Sequence, residues 1–417
     1  MQVKNQRMEL SVIGILMMVS LAASLSLPGG YQLGAAIFVV MGFIRLWQRL
    51  LARAPLQEPT LAGKLPLLFV GFAIVSALVS FWHSEPSGHY ELYVPFLWAP
   101  LIFLAVLDGQ IDRRFVWLGC LFGAAIPCMI AAYQSTWVGV ERPSGFLNSP
   151  IFFGNNALLL GSVALAGRHD PPFGLKKSVW LALAYAGFLL GMAASLVSLS
   201  KGGWLFAFLI VAWVIIEDLR RSAKRNWRLI VFIVLACAAL LPLLPANRIL
   251  DRINTASIGA IEWFRTGEVV EASVAPRLEL WKLGLTIWPE KPWLGHGREG
   301  VTDKIQEKAT LSGGYPGLAS IGALHNESIQ LLAEKGLLGL IVWLLMYASS
   351  GAVFWCAYAS SKPVAKIIGK AGLVILTGSF VFGLSDTYLM WNVNRQIFVF
   401  LVMTIAAMLL LEGKRSS

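Results

Sequence analysis

The side chains best suited to chemistry on a phosphate or a sugar hydroxyl are His325, Arg277, Arg142 and Lys201. His325 stands in Leu324-His325-Asn326-Glu327, just ahead of an amphipathic run over 327–336. Imidazole titrates near neutrality and can take the proton of a hydroxyl as a general base. Its competing use is to cap the helix that starts there, but Asn326 can serve as that N-cap and leave His325 free. Arg277 lies in Ala275-Pro276-Arg277-Leu278-Glu279-Leu280-Trp281. Proline at a first helical position, followed by good helix formers, predicts a short helix starting near Pro276. A cation in that first turn, beside free backbone N–H groups, is an anion site. The alternative is an ion pair with Glu271 or Glu279 on a solvated face. Arg265, in Trp263-Phe264-Arg265-Thr266-Gly267, is a weaker version of the same arrangement.

Metal chemistry has no announced ligands: there is no D-x-D, no H-E-x-x-H and no paired cysteine motif. Neither a Walker loop nor a dinucleotide fingerprint appears outside the apolar blocks. The segment 288–297, Trp-Pro-Glu-Lys-Pro-Trp-Leu-Gly-His-Gly, reads as a turn closing the short helix. Its tryptophans suit either a membrane interface or stacking on sugar rings. His296, between two glycines, reads as a turn residue.

The elements that must position these groups are membrane spans. The chain is 57% hydrophobic and only 14% charged, where a soluble protein carries about 25% charged residues. Apolar blocks of roughly 18 to 22 residues can cross about 30 Å of hydrocarbon, and in lipid they must be helices. Twelve spans are expected: 10–27, 31–47, 65–82, 92–107, 115–137, 150–166, 179–199, 202–217, 229–245, 336–359, 368–385 and 395–411. The first has no small-x-small cleavage site after it and reads as a retained helix. All four cysteines, Cys120, Cys128, Cys237 and Cys356, fall inside apolar blocks and read as buried, inert thiols.

With twelve spans, 21 of the 34 Lys and Arg residues fall on one side, which the positive-inside rule makes cytoplasmic together with both termini. The net charge of +11 is mostly this bias meeting anionic lipid, so the basic balance gives no argument for nucleic acid. The chain therefore divides into spans 1–9 over 1–245, an external polar loop over 246–335 predicted to contain short helices, and spans 10–12 with a cytoplasmic tail over 336–417. Three cations break the rule in short external loops: Arg142 and Lys201, in glycine-flanked contexts at a membrane edge, and Arg395, which could pair with Asp386. No nucleotide is available on that side, so an external enzyme must use an activated substrate delivered by lipid.

Arg277-Leu-Glu-Leu-Trp281, Pro292-Trp-Leu-Gly-His-Gly297, His325-Asn326 and Gly336-Leu-Leu-Gly339, in that order and spacing, resemble the O-antigen ligase and polymerase superfamily of bacterial envelope glycosyltransferases. Twelve spans with one large late periplasmic loop, between spans 9 and 10, extend the likeness to the whole chain. The resemblance implies an all-α polytopic protein of the GT-C-like class, in the bacterial inner membrane. It implies metal-independent, cofactor-free transfer of a glycan from undecaprenyl diphosphate, by a ligase, to the lipid A–core acceptor. In that reading His325 is the general base and the transfer inverts the anomeric centre. Arg142, Lys201, Arg265 and Arg277 bind the diphosphate, and Asn326, His296, Trp281 and Asp386 support them. Lys201, in Ser198-Leu-Ser-Lys-Gly-Gly203, stands where family members commonly show Arg, so it binds phosphate as a point charge without the bidentate fork. The aromatic-rich stretch 137–153 is either a wall of the polyprenyl channel or an ordinary interfacial belt.

Within the superfamily the rivals are the O-antigen polymerase and the protein O-oligosaccharyltransferase. Short external loops at 83–91 and 138–149 favour the ligase over the polymerase. A chain ending about six residues after its last span favours it over the oligosaccharyltransferase. From another class, a polytopic transporter of lipid-linked glycan fits the spans but predicts discontinuous helices with polar groups near the bilayer midplane.

Overall fold

The computed structural model describes residues 2–55, 60–221, 246–269, 274–310, 317–318 and 321–415. Its helices are α1 (Gln2–Ala23), α2 (Gly30–Leu51), α3 (Leu61–Trp82), α4 (Val94–Leu97), α5 (Ala99–Asp108), α6 (Arg113–Thr136), α7 (Pro150–Ala166), α8 (Lys177–Val197) and α9 (Lys201–Arg221). They continue with α10 (Ala246–Thr266), α11 (Ala275–Ile287), α12 (Gly297–Thr310), α13 (Glu327–Ala359), α14 (Pro363–Ser385) and α15 (Asn392–Arg415). No strand occurs among the described residues.

Seven of these, α2, α3, α6, α8, α13, α14 and α15, are long and apolar enough to cross a membrane. The chain is thus a multi-pass membrane protein. Shorter apolar helices cover Val12–Ala23, Val94–Asp108 and Pro150–Ala166. The expected span over 229–245 lies outside the described residues.

α7 and α15 form the middle of the bundle. Every residue of α7 from Phe152 to Ala166 is buried, and on α15 Phe398, Val399, Leu401, Val402 and Met403 are fully enclosed. Helices apolar on all sides belong in such a position. α7 and α8 approach backbone to backbone because Gly161 and Gly191 have no side chain: an added Cβ would lie 2.5 Å from the Gly187 and Ala157 carbonyl oxygens. Around the centre pack α1 on α6, α2 on α5, α3 on α13, and α14 on α13, α7, α9 and α15.

The cysteines do not share one environment. Cys120 is buried and Cys128 partly so, but Cys356 is exposed on α13, because a lipid-facing thiol is as apolar as its neighbours require. Cys237 lies outside the described residues.

The polar loop has a small core of its own, with Leu280, Ile287, Val301, Ile305, Leu318, Leu324 and Ala333 packed together. On α10, Leu250, Ile253, Ile258, Ile261 and Phe264 are exposed along one face, the pattern of a helix lying on a bilayer surface. The span expected from 336 is preceded by a further stretch of helix. Helix α13 starts nine residues earlier, at Glu327, and breaks at Gly336 (φ 66°, ψ −163°). The break receives the 292–295 turn: Leu337 and Leu338 N–H donate to the Pro292 and Trp293 carbonyls at 2.8 and 3.2 Å. A Cβ at 336 would lie 2.3 Å from the Trp293 carbonyl carbon, so glycine satisfies both the backbone angle and the approach.

Candidate active site

His325 sits immediately before the N-cap of α13. Asn326 supplies that cap, its side chain accepting from Ile329 N–H at 3.1 Å while its amide donates to the Leu384 carbonyl, also at 3.1 Å. The His325 ring is therefore not needed as a cap. Its Nδ1 lies 3.0 Å from Asp386 Oδ1, and about a quarter of the side chain stays accessible. His325 also holds a left-handed backbone, φ 51°, which is unfavourable for a side-chain-bearing residue. Trp281 of α11 donates its indole N–H to the His325 carbonyl at 3.3 Å. Arg277, half-buried, precedes Trp281 by one helical turn on the same face.

Asp386 is held as firmly as the histidine. It caps the end of α14, is 5% exposed, and also accepts the Thr387 N–H at 2.8 Å. The chain beyond it is fixed by a buried polar cluster. Tyr388 donates to Asn156 Oδ1 at 2.7 Å, Asn156 donates to Asn394 Oδ1 at 2.7 Å, and Asn394 donates to the Tyr388 carbonyl at 3.0 Å. Asp386 does not pair with Arg395; its carboxylate is turned to His325.

Lys201 begins α9. Helix α8 ends before it with Leu199 left-handed at φ 56°, its N–H on the Leu196 carbonyl and the Ser200 N–H on the Ser195 carbonyl. This is the hydrogen-bond pattern that glycine usually closes. Leu199 instead buries its side chain. Gly202 abuts α14, where a Cβ would lie 2.7 Å from Ser385 Oγ. The start of α9 thus touches the residue preceding Asp386. Arg142 reaches the turn between α8 and α9: its Nε donates to the Ser198 carbonyl at 3.4 Å. Its loop is clamped by Gln134, whose side-chain amide exchanges two 2.9 Å bonds with Gly145.

The fold therefore gathers His325, Asp386, Asn326 and Trp281 by direct contact, with the start of α9 against the end of α14 and Arg142 on the turn that precedes α9. Arg277 stands one turn away. Arg265 stands apart, exposed in the last turn of α10. His296 is buried in the scaffold. Its Nε2 meets the Ile287 carbonyl at 2.8 Å and its N–H donates to the Ala333 carbonyl at 2.8 Å, joining the end of α11 to α13.

Sequence reading passed over the joint that docks the polar loop. Lys335 Nζ donates to Ser80 Oγ at 2.5 Å and lies 3.4 Å from Glu85, while the Arg298 N–H donates to the same Glu85 oxygen at 2.8 Å. His83 Nε2 meets the Leu294 carbonyl at 2.9 Å. Burial alone would raise the Glu85 pKa, but Lys335 and the Arg298 N–H outweigh it and hold the carboxyl below its usual 4.5. Buried carboxylates at 85, 327 and 334, flanking apolar runs, were the available signal. Among the described residues no three His, Cys, Asp or Glu side chains come together as a metal site would need.

Residues 186–344 match a family described as O-antigen ligase. That stretch holds Lys201, Arg265, Arg277, His296 and His325, and leaves Arg142 and Asp386 outside it. An uncharacterized protein of Haemophilus influenzae is 23% identical over 408 residues, covering 94% of this chain and 96% of that relative.

Proposed function

We propose that this chain, whose residues 186–344 match a family described as O-antigen ligase, is the ligase of that superfamily. In this reading it takes a glycan from undecaprenyl diphosphate and joins it to the lipid A–core at the periplasmic face of the inner membrane. The twelve-span, GT-C-like topology with an external loop over 246–335 belongs to this proposal. The observation that carries it is the 3.0 Å contact between His325 Nδ1 and Asp386 at the end of α14, against which the start of α9, with Lys201, also packs.

With its Nδ1 proton directed at Asp386, His325 presents Nε2 as the acceptor for a proton. Asp386 fixes the ring orientation and stabilises the imidazolium that forms, as the carboxylate partner of a catalytic histidine does. The acceptor hydroxyl gives its proton to Nε2 while its oxygen attacks the anomeric carbon. The bond from that carbon to the diphosphate oxygen breaks, and its electron pair leaves with the diphosphate. Arg142, Lys201 and Arg277 are the cations for the charge that develops there. Because the leaving group is already a stable anion, this route requires no metal. Attack in one step inverts the anomeric centre. The left-handed backbone at His325 and Leu199 supports the reading, since such strain collects at functional sites.

Purified protein with undecaprenyl-diphosphate-linked glycan and lipid A–core should form ligated product in EDTA. Replacing His325 with Ala should lower the rate by about 10²–10⁴-fold with the thermal midpoint in detergent retained. A folded H325A protein that ligates at full rate removes the base assignment. Loss of activity in EDTA removes the metal-free route, and chain extension of the donor in place of ligation makes the protein a polymerase.

A further inference from the structure

Arg395 and Arg168 are strongly buried guanidiniums that the proposed reaction does not use; Arg168 is paired with Glu217, and Arg395 is not paired with any carboxylate of the described residues. Arg395 lies in the first turn of α15, is 4% exposed, and its side chain makes no hydrogen bond or ion pair with the described residues; its Nε is buried without a partner. A guanidinium taken out of water without a counter-ion is strongly unfavourable. The charged and phenolic groups near enough to act on it are Glu327, Tyr93, Arg298 and Tyr31. Glu327 would be the obvious counter-ion, yet it does not come within ion-pair distance, and its carboxylate accepts the Leu389 N–H at 2.8 Å. Arg298, half-buried at the start of α12, is near enough to act on it with a like charge.

The position of this pair relative to the proposed base matters. Lys201 begins α9, whose Gly202 lies against Ser385, and Arg142 meets the Ser198 carbonyl at the end of α8. Arg395 is surrounded by groups from α2 (Tyr31), the lead into α4 (Tyr93), α12 (Arg298) and the start of α13 (Glu327). The end of α14 stands between the two sets: Ser385 meets Gly202 on one side, and Gly383 meets the Glu327 side chain on the other. A transferase that uses a diphosphate donor needs its acceptor on the face of the base opposite the leaving group, and a cation waits on that face.

We propose that Arg395, assisted by Arg298, is a second anion site, and that it takes a phosphate or carboxylate carried by the glycosyl acceptor. This inference rests on the ligase reading for the identity of the acceptor. It makes Arg395 a specificity residue that positions the acceptor hydroxyl for His325 and takes no proton itself. Glu327 and Tyr93 complete the site as groups that orient the guanidinium.

The test compares a phosphorylated acceptor oligosaccharide with the same acceptor after phosphatase treatment, using the full chain in neutral-lipid nanodiscs. In the wild type, dephosphorylation should raise the acceptor KM about tenfold or more and leave the donor KM unchanged. Arg395→Gln should raise the acceptor KM by a similar factor and no longer distinguish the two acceptors. Arg395→Lys should recover part of the discrimination, and Arg298→Gln should weaken it less than Arg395→Gln does. A purely structural Arg395 would lower stability and kcat equally for both acceptors, and that result overturns the proposal. So does an Arg395→Gln effect on donor KM alone, or Arg395-dependent binding of phosphatidylglycerol in place of the acceptor phosphate. Direct binding of the two acceptors, followed by calorimetry without donor, separates the two readings. Arg395-dependent preference for the phosphorylated form by a protein that transfers nothing keeps the anion site and removes the ligase. Transfer without that preference removes the anion site and keeps the ligase.

Discussion

The two ends of the helical bundle treat their cations differently. At the end where α14 begins, each buried cation has a carboxylate. Arg168 Nη2 lies 2.8 Å from Glu217, and Lys370 pairs with the same side chain. Arg49 makes a bidentate pair with Asp108 at 2.6 and 2.8 Å, and Arg113 lies 2.6 Å from Asp170. At the end where α14 finishes, about 22 Å away by helical rise from Lys370 to Ser385, Asp386 is given to a histidine and Arg395 has no carboxylate in bonding range. A cation matched by the protein contributes to packing. A cation left unmatched at the end that carries an accessible histidine is held for something the protein does not contain.

Exchanging the character of the two ends should separate stability from chemistry. The largest loss of stability belongs to Glu217→Gln, which leaves Arg168 and Lys370 buried without their shared counter-ion. Removing one partner of a buried pair costs roughly 3–5 kcal/mol, so the thermal midpoint in detergent should fall while KM for the surviving folded protein is kept. Loss of donor binding with an unchanged midpoint would contradict the comparison. Next is Gly336→Ala, which forces a side chain into a left-handed position against the Trp293 backbone. A cost of about 2 kcal/mol or more is expected, read as faster proteolysis of the 246–335 loop together with lower transfer.

Smaller still is the acid response of the loop joint. Glu85 is held below its usual pKa, so its contribution is complete above 4.5 and lost as pH falls through the lowered folded value. The wild-type midpoint should drop below pH 4.5, by roughly 1 kcal/mol from this group, and Glu85→Gln should flatten that dependence. An unchanged slope would remove Glu85 from the joint. The smallest effect is expected for Arg265→Gln, since an exposed change alters stability by under about 0.5 kcal/mol. It should also raise donor KM less than Arg277→Gln, and equal losses would bring Arg265 into the site.

Much of this was legible in the residues. Pro276 ahead of Arg277 marked the start of α11, and Asn326 ahead of Glu327 marked the cap that leaves His325 available, because capping is decided by neighbours in sequence. The break at Gly336 was not legible, since its cause is a turn some forty residues earlier. Arg395 was misassigned to Asp386 because nine residues separate them and both are charged. In the fold, Arg395 lies within electrostatic reach of Glu327, Tyr93, Arg298 and Tyr31, while Asp386 caps α14 facing His325.

The sequence by itself determined that this chain lives in a membrane, that its chemistry-bearing groups collect in polar segments between apolar helices, and which residue types are present for it. Those properties depend on composition and on short-range pattern, which survive without a fold. Tertiary structure alone decided which carboxylate meets His325, which helix start packs against Ser385, and which buried cation has no carboxylate among the described residues. Each of these is a choice among residues tens to hundreds of positions apart, and only helix packing brings the competitors within the few ångströms over which a hydrogen bond or an ion pair forms.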